Sequence, residues 1–219
     1  MSRLPLREVI AIGGTHETNN RMMMVSPYDE RNKSGKAFEE EKWKTIFTNT
    51  DNIDGIAKGT WSLPTDDPSW RSGFRRYGAS KLCLVMMVAD LQRRLSADPG
   101  LNKICILAVD PGSMPTGLAR NAPWLIRVLV FRIIFSLVIL LKPDGEVRSP
   151  SKSAMDVLGA AFNSGPQLGE YPKGVYLNGS KPIETSAESK DVKKRDLLWK
   201  ESLKYTGLQD GETVLTDWK

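Results

Sequence analysis

The stretch Tyr77-Gly78-Ala79-Ser80-Lys81 opens a helix-like run that stays largely apolar from residue 82 to residue 95. Because residues four apart lie one turn apart on the same face of a helix, the phenol of Tyr77 and the ammonium group of Lys81 are predicted to point the same way. A neighbouring positive charge favours the phenolate and lowers the tyrosine pKa from its ordinary value of about 10. Such a pair can move a proton to or from an alcohol or carbonyl oxygen. The spacing alone is also compatible with two unrelated side chains on a surface helix.

A buried-strand pattern follows this helix. Residues 104–109 read Ile-Cys-Ile-Leu-Ala-Val, and Asp110-Pro111-Gly112 ends the run with a turn. A continuous apolar run between turn residues is typical of a parallel strand that is covered on both faces. Together with a short predicted strand whose apolar residues are 9–12, the order strand, helix, strand predicts a right-handed crossover.

Four motifs together resemble the short-chain dehydrogenase/reductase family, and most of all its retinol-dehydrogenase-like branch. They are Tyr-x-x-x-Lys at 77–81, Pro-Gly-x-x-x-Thr at 111–116, Arg-Ser-Pro at 148–150 and Gly-Val-Tyr at 174–176. The similarity covers residues 9–14 and 74–208. It implies an α/β, Rossmann-like fold that consists of the C-terminal half of a doubly wound parallel sheet with flanking helices.

The resemblance also implies roles for individual residues. Tyr77 would donate or accept the proton, while Lys81 would hold the nicotinamide ribose and depress the tyrosine pKa. Pro111, Gly112 and Thr116 would seat the nicotinamide, although a threonine at this place also suits a turn or a helix cap. The implied reaction is hydride transfer between NAD(P)(H) and a lipophilic alcohol or carbonyl compound. The branch favours NADP(H) over NAD(H).

The predicted strand at residues 8–12 ends at Gly13-Gly14. This glycine pair is not a phosphate-binding loop, because no third glycine and no helical period follow it. By the resemblance, the strand ends where the family has its catalytic serine; glycine stands there in this sequence, so Thr15 is the nearest candidate hydroxyl. The family's glycine-rich pyrophosphate loop would lie upstream, so we expect the C-terminal half of a dehydrogenase. The alternative is a catalytically inactive or truncated remnant that acts only as a binding or assembly partner.

We expect a single, N-terminally incomplete domain over residues 1–219. Residues 21–73 are predicted to be an irregular insertion. Residues 123–141 are strongly apolar and correspond to the family's substrate lid, so a lid helix is predicted. Their length also suits a membrane span, but Arg127 and Arg132 would each cost roughly 2.5–3.5 kcal/mol at the centre of a span. A lid, a lid that rests on a membrane surface and a true span are therefore all considered.

Further helices and one strand are predicted outside the motifs. A short helix is expected over residues 36–48, and an amphipathic helix over residues 191–205 should stop at Gly207. The last strand is expected at residues 174–177, with a turn at Asn178-Gly179. Another helix is predicted over residues 151–162, and its inward side chains are expected to be Ala154, Val157, Leu158 and Ala161.

Composition narrows the class of function. The net charge of the 219 residues is +5, but Lys and Arg are interspersed with acidic residues, so we expect no nucleic-acid partner. Cys83 and Cys105 lie in apolar surroundings and predict no disulfide framework, as in a reducing compartment. His16 is the only histidine, which excludes a multi-histidine metal site, and no metal is predicted.

The expected ligand is a lipophilic small molecule. Contact with a membrane surface through residues 124–141 and assembly into a homo-oligomer are further candidate interactions. The first residues lack the apolar core of a signal peptide. We therefore expect an intracellular protein that is cytoplasmic or peripheral on an internal membrane.

Overall fold

The structure is a computed structural model that describes residues 7–11, 36–114, 124, 127–162, 168–169 and 172–219. These residues group into two compact units. The described part of the first unit comprises residues 36–106 and 184–219, and that of the second comprises residues 7–11, 107–114, 124, 127–162, 168–169 and 172–183. The prediction of one domain over the whole chain stays a prediction.

The sheet has four strands in the order β1-β2-β3-β4. The strands are β1 (Arg7–Ala11), β2 (Cys105–Asp110), β3 (Tyr176–Asn178) and β4 (Lys181–Pro182). β2 and β3 are parallel, with Ala108 opposite Tyr176, and β3 and β4 are antiparallel. Every residue of β2 is buried, as its apolar run predicts. With the helices described next, this mostly parallel sheet confirms the predicted α/β, Rossmann-like fold.

Seven α-helices, one 3₁₀ turn and one π-helix lie in the described residues. In chain order they are a 3₁₀ turn (Lys36–Phe38), α1 (Glu41–Lys44), α2 (Thr50–Ala57), α3 (Trp70–Ala97), a π-helix (Arg127–Ile134), α4 (Phe135–Leu141), α5 (Pro150–Phe162), α6 (Ala187–Lys190) and α7 (Val192–Thr206).

α3 is the central helix of the first unit and packs against α7. It begins at the N-cap Ser69, whose side chain accepts a hydrogen bond from the backbone of Arg71. Apolar residues of its predicted helical run form a stripe along one face, and this stripe is buried in a cluster with the short helices that precede α3. The cluster consists of Ala37, Phe38, Ile46, Phe47, Ile53, Ala79, Leu82, Met86 and Leu198. The one acid in the stripe, Asp90, is buried and forms an ion pair with Arg94 at 2.9 Å.

The segment before α3 differs from the prediction in two ways. The helix predicted over residues 36–48 is a 3₁₀ turn followed by the one-turn helix α1, because the chain leaves helical geometry at Glu39 and Glu40. The expectation of irregular chain is wrong over Thr50–Ala57, which is α2, with Asn49 as its N-cap. It is also wrong over residues 70–73, because α3 begins at Trp70 and not at Tyr77. Residues 21–35 lie outside the described residues.

The C-terminal helix agrees with its prediction. Asp191 is the N-cap of α7, and its carboxylate accepts hydrogen bonds from the backbones of Lys193 and Lys194. Gly207 ends the helix in the left-handed conformation at φ 64°, and its N–H donates to Leu203 O at 3.0 Å.

α5 lies where the sequence predicts it, but its predicted inward face is only partly right, with Val157 packed against the buried cluster that contains Ala160. The buried residues are Ser153, Asp156 and Ala160. Ala154 and Leu158 are exposed, while Val157 and Ala161 are half-buried. The helix is rotated toward its polar side, where Ser153 Oγ donates to Pro111 O, while Asp156 is paired with Lys152 of the same helix. Met155, Leu158 and Phe162 consequently face solvent.

Residues 127–141 are helical in two geometries, a π-helix followed by α4. Large apolar side chains of this segment are exposed, among them Leu137, Leu140 and Leu141. Among the residues that the structure describes, no helix is both long and apolar enough to cross a membrane. The role of this segment as a lid stays a prediction.

Candidate functional site

Tyr77 and Lys81 meet on one face of α3, one turn apart, as the sequence predicts. The ammonium nitrogen of Lys81 lies 5.4 Å from the centre of the Tyr77 ring, within the range of a cation–π contact. Ala79, between them, is fully buried in the core of the first unit, so the register of the helix is fixed. The hydroxyl oxygen of Tyr77 is also buried. This geometry is suited to holding a charge beside the phenol.

Lys81 is in an unusual electrostatic position. Only 4% of its surface is exposed, and no acidic side chain of the described residues forms an ion pair with it. Burial lowers the pKa of Lys81 below its ordinary value, because the charged form loses hydration. A buried lysine without a carboxylate partner is a common sign of a functional site.

Aromatic side chains continue the face of α3 on which Tyr77 lies. Phe74 is 6.3 Å from Tyr77 between ring centres, and Trp70 is 5.8 Å from Phe74. Trp70 is 63% exposed and Phe74 is 40% exposed. Phe38 packs close to the helix at Gly78, where an added Cβ would lie 3.1 Å from its ring. An apolar surface therefore leads along α3 to the candidate proton-transfer group.

Arg75 anchors the preceding segment to α3, two residues before Tyr77. Its buried guanidinium donates to Ser62 Oγ at 2.7 Å, to Ala37 O at 2.9 Å and to Asp67 Oδ2 at 2.9 Å. The guanidinium carbon also lies 4.4 Å from the centre of the Trp43 ring. Arg75 was not predicted from the sequence, because its hydrogen-bonding partners are spread over the upstream segment and form no local motif.

The Pro111-Gly112 loop follows β2 in the second unit. Gly112 has φ +74°, and its N–H donates to Asp110 Oδ1 at 2.8 Å. A Cβ at this position would lie 2.8 Å from Glu146 O, so only glycine fits without a shift. Ser153 Oγ donates to Pro111 O at 2.7 Å. These contacts fix the backbone conformation of the loop. A loop that binds one face of a flat ring needs such a fixed backbone.

Arg148 is a second residue that the sequence analysis did not assign to the site. It is buried, and its guanidinium donates to Asp110 O at 3.0 Å and to the side chain of Asn178. The available signal was its place in the Arg-Ser-Pro motif, which the resemblance already includes. Thr15 and Thr116 lie outside the described residues, as does the Gly13-Gly14 pair.

Comparisons with known proteins identify the family. Models of known protein families give no match to the chain. The chain is 39% identical over 199 residues to the short-chain dehydrogenase iccH of Talaromyces variabilis, an alignment that covers 89% of this chain and 54% of that protein. A short chain dehydrogenase/reductase of Macrophomina phaseolina is 29% identical over 157 residues, or 68% of this chain and 70% of that protein. The chain belongs to the short-chain dehydrogenase/reductase family.

Other members of the family carry a more specific name. The polyprenol dehydrogenase of Mus musculus is 31% identical to this chain over 149 residues, which is 67% of this chain and 40% of that protein. The chain spans about half the length of iccH and of this polyprenol dehydrogenase. Membership confirms the predicted family, whose members here are named dehydrogenases and reductases, and NAD(P) is the cofactor expected of that family.

Proposed function

We propose that this chain carries the proton-transfer pair and the nicotinamide-side loop of an NAD(P)(H)-dependent alcohol dehydrogenase or carbonyl reductase that acts on a lipophilic substrate. The observation that carries the proposal is the buried ammonium group of Lys81, 5.4 Å from the ring of Tyr77. The family supports the reaction class, since its curated relatives are named as dehydrogenases and reductases.

Tyr77 is the proton-transfer residue in this proposal. During alcohol oxidation its phenolate accepts the hydroxyl proton, and during carbonyl reduction its phenol returns a proton to the carbonyl oxygen. When bound, NAD(P)(H) takes up or supplies the hydride at the substrate carbon. The cation of Lys81 stabilises the phenolate more than the neutral phenol, so it favours a tyrosine that exchanges protons near neutral pH.

The residues on the nicotinamide side fit a cofactor. Lys81 has ammonium donors that no described carboxylate occupies, and ribose hydroxyl oxygens are suitable acceptors for them. Pro111 and Gly112 would seat the nicotinamide, because their backbone is fixed by hydrogen bonds and by the close approach of Glu146 O. Thr116 is proposed for the carboxamide. NADP(H) is preferred to NAD(H) on the strength of the retinol-dehydrogenase-like branch alone.

The lipophilic nature of the substrate is proposed from two observations. Exposed Trp70 and Phe74 form an aromatic surface beside Tyr77, and aromatic rings bury large apolar areas on contact with a ligand. One of the curated relatives is named a polyprenol dehydrogenase. The exposed apolar side chains within residues 127–141 would cover such a substrate or rest on a membrane surface.

The test is a comparison of Tyr77→Phe with the control Tyr205→Phe, which also removes one phenol in the first unit but from an exposed position on α7. Titration of NADH and NADPH by nicotinamide fluorescence gives the affinity, and oxidation of a polyprenol gives the turnover. We expect Tyr77→Phe to lower kcat by about 10²–10⁴-fold while the nucleotide Kd stays within about twofold. The control should change neither.

Three results would contradict the proposal. They are absence of NADH and NADPH binding by the unmodified chain, full turnover in Tyr77→Phe, and equal losses of turnover in both variants. A higher affinity for NADH than for NADPH would overturn only the preference for NADP(H).

A further inference from the structure

Arg148 joins three parts of the second unit through its backbone and its side chain. Its backbone N–H donates to Ser113 O at 2.9 Å, directly after the Pro111-Gly112 loop. Its guanidinium donates through Nη1 to Asp110 O at 3.0 Å and through Nη2 to Asn178 Oδ1. The carboxyl end of β2, the loop and the carboxyl end of β3 are thus connected through one residue, of which only 3% is exposed.

Two glycines make room for this guanidinium. A Cβ at Gly112 would lie 3.2 Å from both Cδ and Nη1 of Arg148. A Cβ at Gly179 would lie 3.0 Å from Cζ and Nη1 of the same residue. Both glycines have positive φ, at +74° and +63°. The guanidinium therefore lies between the backbones of Gly112 and Gly179, where a side chain at either position would displace it.

Unpaired polar atoms at and beside Arg148 indicate that this arginine does more than stabilise the fold. The carboxylate of Asp156 lies beside the same Gly179 and is held by Lys152 at 2.5 Å. Among the described residues, Arg148 Nε and Asp156 Oδ2 are buried and have no hydrogen-bonding partner. Buried charges with unused hydrogen-bonding capacity cost stability, and apolar residues of similar volume would often serve stability better. Such departures from good packing are concentrated at functional positions.

We infer that Arg148 is a positioning residue, whose guanidinium fixes the backbone of the Pro111-Gly112 loop in the conformation that receives the nicotinamide. The inference rests on the proposed function for the last step only. The restraint on the loop itself follows from contacts within the second unit. Because one planar guanidinium bonds two acceptors on different strands at once, lysine is not an equivalent substitute.

The restraint is tested by amide hydrogen exchange on the 219-residue chain, with Arg148→Met, Arg148→Lys and the control Lys152→Met. The reporter amides are those of Gly112 and Ser113, and the Ala108 amide, which donates to Val175 O at 2.9 Å, monitors β2 itself. We expect exchange at Gly112 and Ser113 to become at least about tenfold faster in both Arg148 variants, with Ala108 unchanged. Lys152→Met leaves the buried Asp156 carboxylate beside Arg148 without its ion pair, so it measures what a nearby charge defect does by itself, and it should accelerate exchange at Gly112 and Ser113 less than either Arg148 variant does.

Two exchange results would overturn the restraint. Unchanged exchange at Gly112 and Ser113 in both Arg148 variants would show that the loop does not need the guanidinium. Equal acceleration at Ala108 would show that Arg148 supports the unit as a whole. If Arg148→Met fails to fold, Arg148→Lys answers the question alone, because it keeps the charge and loses the planar fork that bonds both acceptors.

The link to the cofactor is tested separately by nicotinamide fluorescence. We expect Arg148→Met to weaken NADPH binding at least about tenfold, while Lys152→Met binds as the unmodified chain does. An unmodified chain that binds neither NADH nor NADPH refutes the proposed function, whereas the exchange experiment still decides on the restraint. If the loop amides of Arg148→Met exchange faster while its NADPH affinity is unchanged, Arg148 has no role in seating the nicotinamide.

Discussion

Replacing Gly112 with alanine should destabilise the protein by an amount that the structure divides into two contributions. The first is conformational, because alanine at φ +74° costs roughly 1–2 kcal/mol. The second is steric, because the new Cβ would lie 2.8 Å from the backbone oxygen of Glu146, which cannot rotate away. Overpacking of this kind costs about 1–3 kcal/mol. We therefore expect the free energy of unfolding to fall by about 2–5 kcal/mol.

Gly59 offers a matched control. It has φ +72°, almost the same as Gly112, but a Cβ there would meet no atom within 4 Å. Gly59→Ala should therefore cost only the conformational part, about 1–2 kcal/mol. The difference between the two variants measures the contact with Glu146 O.

Urea denaturation of both variants gives the free energies of unfolding. Far-UV circular dichroism and tryptophan fluorescence should report the same midpoint, because the comparison requires two-state unfolding. A change in midpoint at constant slope reports a change in stability. Equal losses for Gly112→Ala and Gly59→Ala, or no loss for Gly112→Ala, would refute the close approach of the loop to Glu146.

Three further outcomes are expected in the first unit. Arg75→Met should lower the free energy of unfolding by about 3–5 kcal/mol, because it leaves buried acceptors unpaired. The control Arg71→Met, one turn earlier, should change it by less than about 0.5 kcal/mol. Urea denaturation measures both. Hydrogen bonds from Ser69 and Arg75 lower the pKa of Asp67 to about 2. The ionised carboxylate therefore contributes stability above pH 3.8 that is lost as the pH falls through about 2. Urea denaturation that shows no loss of stability between pH 4 and pH 2 would contradict this. Burial raises the pKa of the half-buried thiol of Cys83 to about 12, so a disulfide reagent at pH 8 should modify it more slowly in the folded than in the unfolded chain.

The elements that local sequence patterns specify could be predicted. α3 is recognised because its buried apolar residues recur at helical spacing, and β2 because it is a continuous run typical of a covered strand. α7 is recognised by its capping residues Asp191 and Gly207. The Tyr77–Lys81 pair is predictable for the same reason, since four residues of helix fix the relation between the two side chains.

The remaining features depend on contacts between residues far apart in the sequence. Arg148 reaches partners 38 and 30 residues away, and Arg75 reaches one 38 residues upstream, so no local pattern reveals either. α2 was missed because it is short, so its apolar residues Ile53 and Ile56 repeat over a single turn and give little signal. The rotation of α5 was misjudged because hydrophobicity alone cannot show that Asp156 is buried.

The outward face of α5 has a practical consequence for anyone who handles the protein. Met155, Leu158 and Phe162 present neighbouring apolar side chains to solvent while the helix is fully formed. Dyes such as anilinonaphthalene sulfonate fluoresce when they bind apolar surface of this kind. Dye-based melting curves of the native protein should therefore start from a high baseline, and hydrophobic-interaction resin should retain the folded chain at moderate ammonium sulfate.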